Sequence, residues 1–349
     1  MTLDDIKNLD PSGMYERIRN FPAQVREAVV IGTSAPLKTR SRRTAHIVLC
    51  GLGGSAIGGD LLRSYLADDL RIPFLVNRHY TLPAFIGPSS LVIISSYSGN
   101  TEETNAAHRE ALKRGAQLLC ITSGGTTAAL AIRRHSPLIT IPGGSPPRAA
   151  LGYSFFPLLI SLSRMGFIGN KQREIRETIS LLEEKAPLYA TLDPAANPAL
   201  QLAELLQGRI TVLYSSTEHM DAVNTRWRGQ IAENGKALCF GHVVPEMNHN
   251  ELVGWHVLHQ QMREMQVVFL RDRDDHRRVQ IRMDISRQIL REYTPHLTEV
   301  WSEGKTLLAR MFSLLYLGDW VSFYLAMLHR VDPTPVRVID HLKQELARV

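Results

Sequence analysis

Residues Ser95-Ser96-Tyr97-Ser98-Gly99-Asn100-Thr101-Glu102-Glu103-Thr104 have the composition of an anion-binding loop. They follow the apolar run Leu91-Val92-Ile93-Ile94, which reads as a buried parallel strand, and they lead into a helical pattern over 102–113. At such a junction the first helical N–H groups lack partners and the positive end of the helix dipole points outward. Ser96, Ser98 and Thr101 add hydroxyl donors there without the fixed charge of a lysine. That suits a phosphate monoester that must bind and leave. A helix cap would need only one of these residues.

A second small-residue loop, Gly51-Leu52-Gly53-Gly54-Ser55-Ala56, follows another strand-like run. Gly51, Gly53 and Ala56 satisfy the GxGxxG/A dinucleotide fingerprint. This makes an NADP-dependent oxidoreductase a rival reading. The fingerprint also asks for an acidic residue after the second strand, where this chain has Val76-Asn77-Arg78-His79. Arg78 would have to meet a 2′-phosphate instead. The Ser/Thr loop, however, has no task in a dinucleotide site. One phosphomonoester held between both loops is the simpler ligand, with Ser55 as a further donor and Gly53 and Gly54 as the supporting loop.

Further side chains have the chemistry for proton transfer. Glu233 stands in a helix-like segment before a strand, and Glu246 and Glu251 are competing carboxylates that the sequence does not rank. His249 lies between Asn248 and Asn250, side chains able to orient an imidazole, and its neutral-range titration suits ring opening. Arg148 follows two prolines and suits a developing oxyanion. Lys343 sits on the last helical pattern. His249, Glu251 and His256 do not have HExxH spacing and no cysteine pair completes a site, so no metal is expected.

Positioning these groups takes regular elements. Strand-like runs recur over 45–50, 73–76, 91–95, 117–121 and 138–141, and again over 210–214, 237–240 and 266–270. Helical patterns cover 11–30, 56–66, 102–113, 126–134, 149–206, 278–292, 307–328 and 339–347. The alternation predicts α/β domains, each with a mainly parallel sheet flanked by helices. At 349 residues the chain exceeds one comfortable core. We expect an N-terminal domain with a leading helix over 1–155, then a helical connection, a C-terminal domain and a terminal helix over 156–349.

Composition narrows the class. With 44% hydrophobic and 21% charged residues the chain is that of a globular protein. Its net charge of +6 does not imply nucleic acid, because Lys38-Thr39-Arg40-Ser41-Arg42-Arg43 is the one short basic cluster and lacks interleaved aromatics. Three widely spaced cysteines point to a reducing, cytoplasmic setting. The polar start Met1-Thr2-Leu3-Asp4-Asp5 does not read as a signal peptide. The apolar stretch 311–328 is interrupted by Gly318 and Asp319 and reads as a buried helix, not a membrane span.

Gly51–Asp60, Ser95–Thr104 and Pro147-Arg148-Ala149-Ala150-Leu151-Gly152 together resemble the sugar isomerase (SIS) domain of bifunctional phosphoglucose/phosphomannose isomerases. Glu233-Asn234-Gly235-Lys236, Pro245-Glu246-Met247-Asn248-His249-Asn250-Glu251 and the carboxy-terminal 335–346 extend the similarity along the chain. The resemblance implies two SIS domains and a homodimer with shared active sites. It implies interconversion of glucose 6-phosphate or mannose 6-phosphate with fructose 6-phosphate, without a cofactor. It assigns Glu233 to the C1/C2 proton, His249 (reaching across the dimer interface) and Lys343 to ring opening, and Arg148 to the enediolate. A non-catalytic phosphosugar-binding SIS protein is the remaining alternative, and would need no carboxylate at Glu233.

Overall fold

A computed structural model describes residues 2–37, 44–346 and 348. The basic cluster 38–43 and Ala347, the last residue of the expected terminal helix, lie outside the described residues. Contacts divide the chain into two compact units that interleave in sequence. One comprises Asn20–Leu182 with Gly304–Ala309; the other comprises Met1–Arg19, Glu183–Glu303 and Arg310–Val349.

The first unit is built on five parallel strands: β1 (His46–Cys50), β2 (Phe74–Asn77), β3 (Ser90–Ser95), β4 (Gln117–Thr122) and β5 (Leu138–Thr140). Their spatial order is β2-β1-β3-β4-β5. Val48, Cys50, Val92, Ile94 and Cys120 meet Ala107 and Ala111 of helix Glu102–Lys113 in one buried cluster. Because β1 and β3 are covered on both faces, they read as continuous apolar runs. Helix Gly53–Tyr65 lies so close to β1 that a Cβ on Gly59 would fall 2.8 Å from Leu49 Cδ2. The strand order reverses between β1 and β3. Doubly wound sheets bind ligands outside the carboxyl ends of such a pair.

The second unit carries β6 (Thr211–Ser216), β7 (Cys239–Val244), β8 (Gln266–Arg271) and β9 (Leu297–Trp301), in the order β7-β6-β8-β9 and all parallel. Strand β9 had no counterpart among the apolar runs. Among the described residues it pairs only with β8, so this edge strand tolerates the polar Thr298 and Glu299. Helix Leu307–Leu328 has the length and apolarity to cross a membrane, yet 89% of its apolar window is buried inside the fold. Its Trp320 packs edge-on against Tyr15 and stacks with Tyr324. The two interrupting residues serve packing. A Cβ on Gly318 would lie 2.5 Å from the Trp227 ring, and buried Asp319 takes hydrogen bonds from Arg226 and Gln230.

The continuous helix expected over 11–30 is two helices, Met14–Arg19 and Phe21–Ser34, separated at Asn20. Pro22 has no N–H to donate and suits the first turn of the second helix. A further helix, Leu3–Leu9, precedes them, closed by a reciprocal cap between Thr2 and Asp5.

Candidate active site

In the first unit both small-residue loops leave the carboxyl ends of β1 and β3, the adjacent strands at the switch point. Ser55 is buried and its Oγ accepts the Tyr97 N–H at 3.1 Å, tying one loop to the other. Ser96 Oγ donates to Thr101 Oγ1 at 3.1 Å and accepts the Gly99 N–H at 3.1 Å. Thr101 occupies the N-cap position but makes no side-chain cap bond, so capping does not explain its hydroxyl. Ser98 is exposed and accepts the Asn100 N–H at 3.2 Å. Four hydroxyls and the first amides of two helices thus border one place. The helix Gly53–Tyr65 also starts without a side-chain cap, leaving the Gly53 and Gly54 N–H groups without intrahelical acceptors.

Neighbouring turns hold this loop in shape. Gly99, with φ of 71°, passes so close to Gly124 that a Cβ would lie 1.8 Å from the Gly124 carbonyl oxygen. Asn100 Oδ1 accepts the Thr126 N–H, and Asn105 Nδ2 donates to the Gly99 carbonyl. Tyr97 OH accepts the Ser145 N–H at 3.1 Å, which fixes the segment leading to Arg148. Beyond Arg148, Gln24 clamps the turn: Nε2 donates to Ala149 O at 2.8 Å and Oε1 accepts Gly152 N–H at 2.9 Å. Arg148 itself is 4% exposed. A Cβ on Gly54 would meet Pro147 O at 2.6 Å, so the Arg148 turn lies directly against the glycine loop. Ser55, Ser96, Ser98, Thr101, Gly53, Gly54 and Arg148 therefore belong to one neighbourhood.

Arg78, which a dinucleotide phosphate would need, is ion-paired with Asp60 of helix Gly53–Tyr65. Asn77, where the fingerprint wants an acid, is buried and donates to the carbonyls of His79 and Thr81.

In the second unit Glu233 is the last residue of helix Asp221–Glu233 and is half-buried. The turn after it is tightly held. Asn234 is buried and donates to Ser322 Oγ at 3.0 Å, and Gly235 O contacts His329 Nδ1 at 2.9 Å. The competing carboxylates are committed elsewhere. Glu251 Oε1 accepts the Tyr214 hydroxyl at 2.6 Å, and that hydroxyl oxygen in turn accepts Trp255 Nε1–H. Burial and the Glu251 carboxylate both push the Tyr214 hydroxyl well above its ordinary range, so it remains a donor. Glu246 accepts from Asn250 Nδ2.

His249 ends the 3-10 turn Glu246–His249 and is exposed. The expected support from its neighbours is absent. Asn248 Nδ2 donates to Ser286 Oγ, and Asn250 Oδ1 accepts the Glu251 N–H, so neither amide orients the imidazole. Lys343 lies on helix Arg337–Leu346, none of whose residues is buried. Among the described residues no group of three or more His, Cys, Asp or Glu side chains is placed to hold a metal ion.

Family models match both halves: the SIS domain over residues 42–138, and the bacterial phospho-glucose isomerase C-terminal SIS domain over 195–346. The bifunctional phosphoglucose/phosphomannose isomerase of Caldicellulosiruptor bescii is 42% identical across 96% of this chain and 99% of its own length. The chain belongs to the bifunctional phosphoglucose/phosphomannose isomerase family. A protein of the same description from Aquifex aeolicus is 36% identical over 86% of this chain and 90% of its own. Among solved structures, a glucose-6-phosphate isomerase like protein from Thermus thermophilus shares the fold, with a TM-score of 0.65 at 18% identity. That match covers 95% of this chain and 96% of the other. The fold class is therefore two SIS domains with parallel sheets flanked by helices.

Sequence reasoning missed Tyr97, Gln24 and Asn105 as supports. Tyr97 lies inside the serine loop and was legible as a candidate. Gln24 carries no local signal, because its partners are more than a hundred residues away in the chain.

Proposed function

We propose that this enzyme interconverts glucose 6-phosphate and mannose 6-phosphate with fructose 6-phosphate. The observation that carries the reading is the meeting of two hydroxyl-bearing loops at the β1/β3 switch point, with the Arg148 turn pressed onto Gly54. The 6-phosphate is held by Ser55, Ser96, Ser98 and Thr101 and by the helix amides. His249 and Lys343 open the pyranose ring, moving a proton from O1 and delivering one to the ring oxygen. Glu233 then carries the proton between C2 and C1 through a cis-enediolate. Arg148 stabilises the charge that develops on the enediolate oxygen. Rotation about C2–C3 in the intermediate presents either face to the same base, so both C2 epimers are substrates.

The enzyme works in the cytoplasm as a homodimer with shared active sites, His249 being supplied by the neighbouring subunit. Free cysteines support a reducing setting: Cys50 and Cys120 are buried, and burial pushes both thiols up to about 12. The exposed His249 and the exposed apolar Val338, Ile339, Leu342 and Leu346 of the terminal helix support coverage by a second copy. The oxidoreductase reading has no support at Arg78, which Asp60 already engages.

Turnover of both hexose 6-phosphates by purified protein, with EDTA and without, tests the activity. Glu233→Gln keeps the volume and removes the base, so turnover should fall roughly 10²–10⁴-fold with little change in substrate binding. Near-native turnover in that variant would remove Glu233 from the mechanism.

A further inference from the structure

Lys236 has no part in the reaction just described, yet its geometry is unusual. It adopts φ of 53°, a conformation that side chains other than Gly, Asn and Asp seldom take. Its ammonium donates to three backbone carbonyls: Glu233 O at 2.6 Å, Pro335 O at 2.5 Å and Pro333 O at 3.1 Å. An ammonium has three protons, and these three oxygens match them. Lys236 also belongs to the unit that holds all of its acceptors.

The acceptors join two distant parts of the sequence. Glu233 ends the helix Asp221–Glu233, and Pro335 stands two residues before the helix Arg337–Leu346 that bears Lys343. Within its own chain that terminal helix buries no side chain, so packing inside the subunit contributes little to fixing where it starts. Carbonyls at a helix end carry partial negative charge, and a cation there is favoured.

We propose that Lys236 is a positioning residue that ties the start of the Lys343 helix to the carboxyl end of the Glu233 helix. It sets the proton shuttle and the ring-opening lysine in one frame without touching substrate. The left-handed backbone turns its side chain back across Glu233 O, which gives the strained conformation a purpose. The inference rests on the roles given above to Glu233 and Lys343.

Lys236→Asn separates the two effects, since asparagine accepts the left-handed backbone but cannot reach either proline carbonyl. kcat should fall about 10²-fold, the cost of a misplacement near 1 Å, and KM should stay within about threefold because the phosphate loop is untouched. Amide exchange over residues 331–340, labelled for milliseconds, should quicken. Lys236→Arg keeps the charge and should recover much of kcat. If Lys236→Asn is insoluble, Lys236→Gln removes the same tether. A kcat within threefold of native overturns the proposal, as does a fall in kcat with unchanged exchange. Lys343→Met is the control. If it retains turnover, the role of Lys343 fails, and the tether is then judged by exchange alone, where no change refutes it.

Discussion

Replacing Gly54 with alanine tests whether the glycine loop sets the position of Arg148. The added Cβ would stand 2.6 Å from Pro147 O, 2.8 Å from Pro147 C and 3.2 Å from Arg148 N. All three are backbone atoms, so no side-chain rotation relieves the clash. Restoring an ordinary contact of about 3.4 Å moves the turn by about 0.8 Å. Overpacking of this kind costs about 1–3 kcal/mol, or several degrees in Tm. A displacement approaching 1 Å in a group that must meet a developing charge costs up to about 10²-fold in rate. We therefore expect kcat to fall roughly 30- to 100-fold for both epimers, with KM less affected because Ser96, Ser98 and Thr101 stand on another strand end. Gly208→Ala is the control. Its φ of 74° adds a backbone strain that Gly54 does not carry, but nothing lies within 4 Å of the new Cβ and it belongs to the other unit, so it shows what destabilisation alone does to kcat. Steady-state kinetics on both hexose 6-phosphates, with calorimetric Tm for each variant, separates the effects. A folded Gly54→Ala enzyme with kcat within threefold of native would refute the link between the loop and Arg148.

Three other outcomes follow from the same geometry. Ser98→Ala with Thr101→Ala should weaken every 6-phosphate ligand by about 10-fold or more, since a hydrogen bond to a charged group contributes about 1.5–3 kcal/mol. A loss confined to one epimer in inhibition assays would mean that the loop reads the sugar. Mixing inactive Glu233→Gln with inactive His249→Ala protein under subunit exchange should restore activity, because each mixed dimer regains one intact site. No recovery despite demonstrated exchange would place the histidine in its own subunit's chemistry or in none. Burial pushes the Asp275 carboxyl up to about 6, against the hydrogen bond from the Asp272 N–H that favours the charged form. A raised acid binds its proton more tightly in the fold, so the native state is favoured below about pH 4 and loses about 3 kcal/mol as pH rises through 6. Asp275→Asn should therefore gain stability relative to native protein between pH 4 and 7 in urea unfolding. A difference independent of pH would contradict this.

Much of the frame was legible in the sequence because parallel strands covered on both faces must be apolar throughout. β1, β3, β4, β6 and β8 could be read from such runs alone. β9 could not, since an edge strand with Thr298 and Glu299 shows neither a continuous run nor clean alternation. The break at Asn20 was hidden because an apolar period survives a one-residue interruption between helices. Among the site candidates, the hydroxyl loop was the most legible. Its chemistry follows from a local fact, small polar residues where a strand gives way to a helix.

Sequence by itself determined most of the element types, the two small-residue loops and, through the similarity of whole motifs, the family. Tertiary structure alone decided which strands neighbour one another, and hence that both loops open at the same switch point. It decided that the Arg148 turn rests on Gly54, ninety-four residues away in the chain, and that Glu251 serves Tyr214. It also grouped the first helices, up to Arg19, with the second half of the chain. Periodicity and capping are written in residues a few positions apart, whereas these contacts depend on which surfaces fit once the sheets have formed.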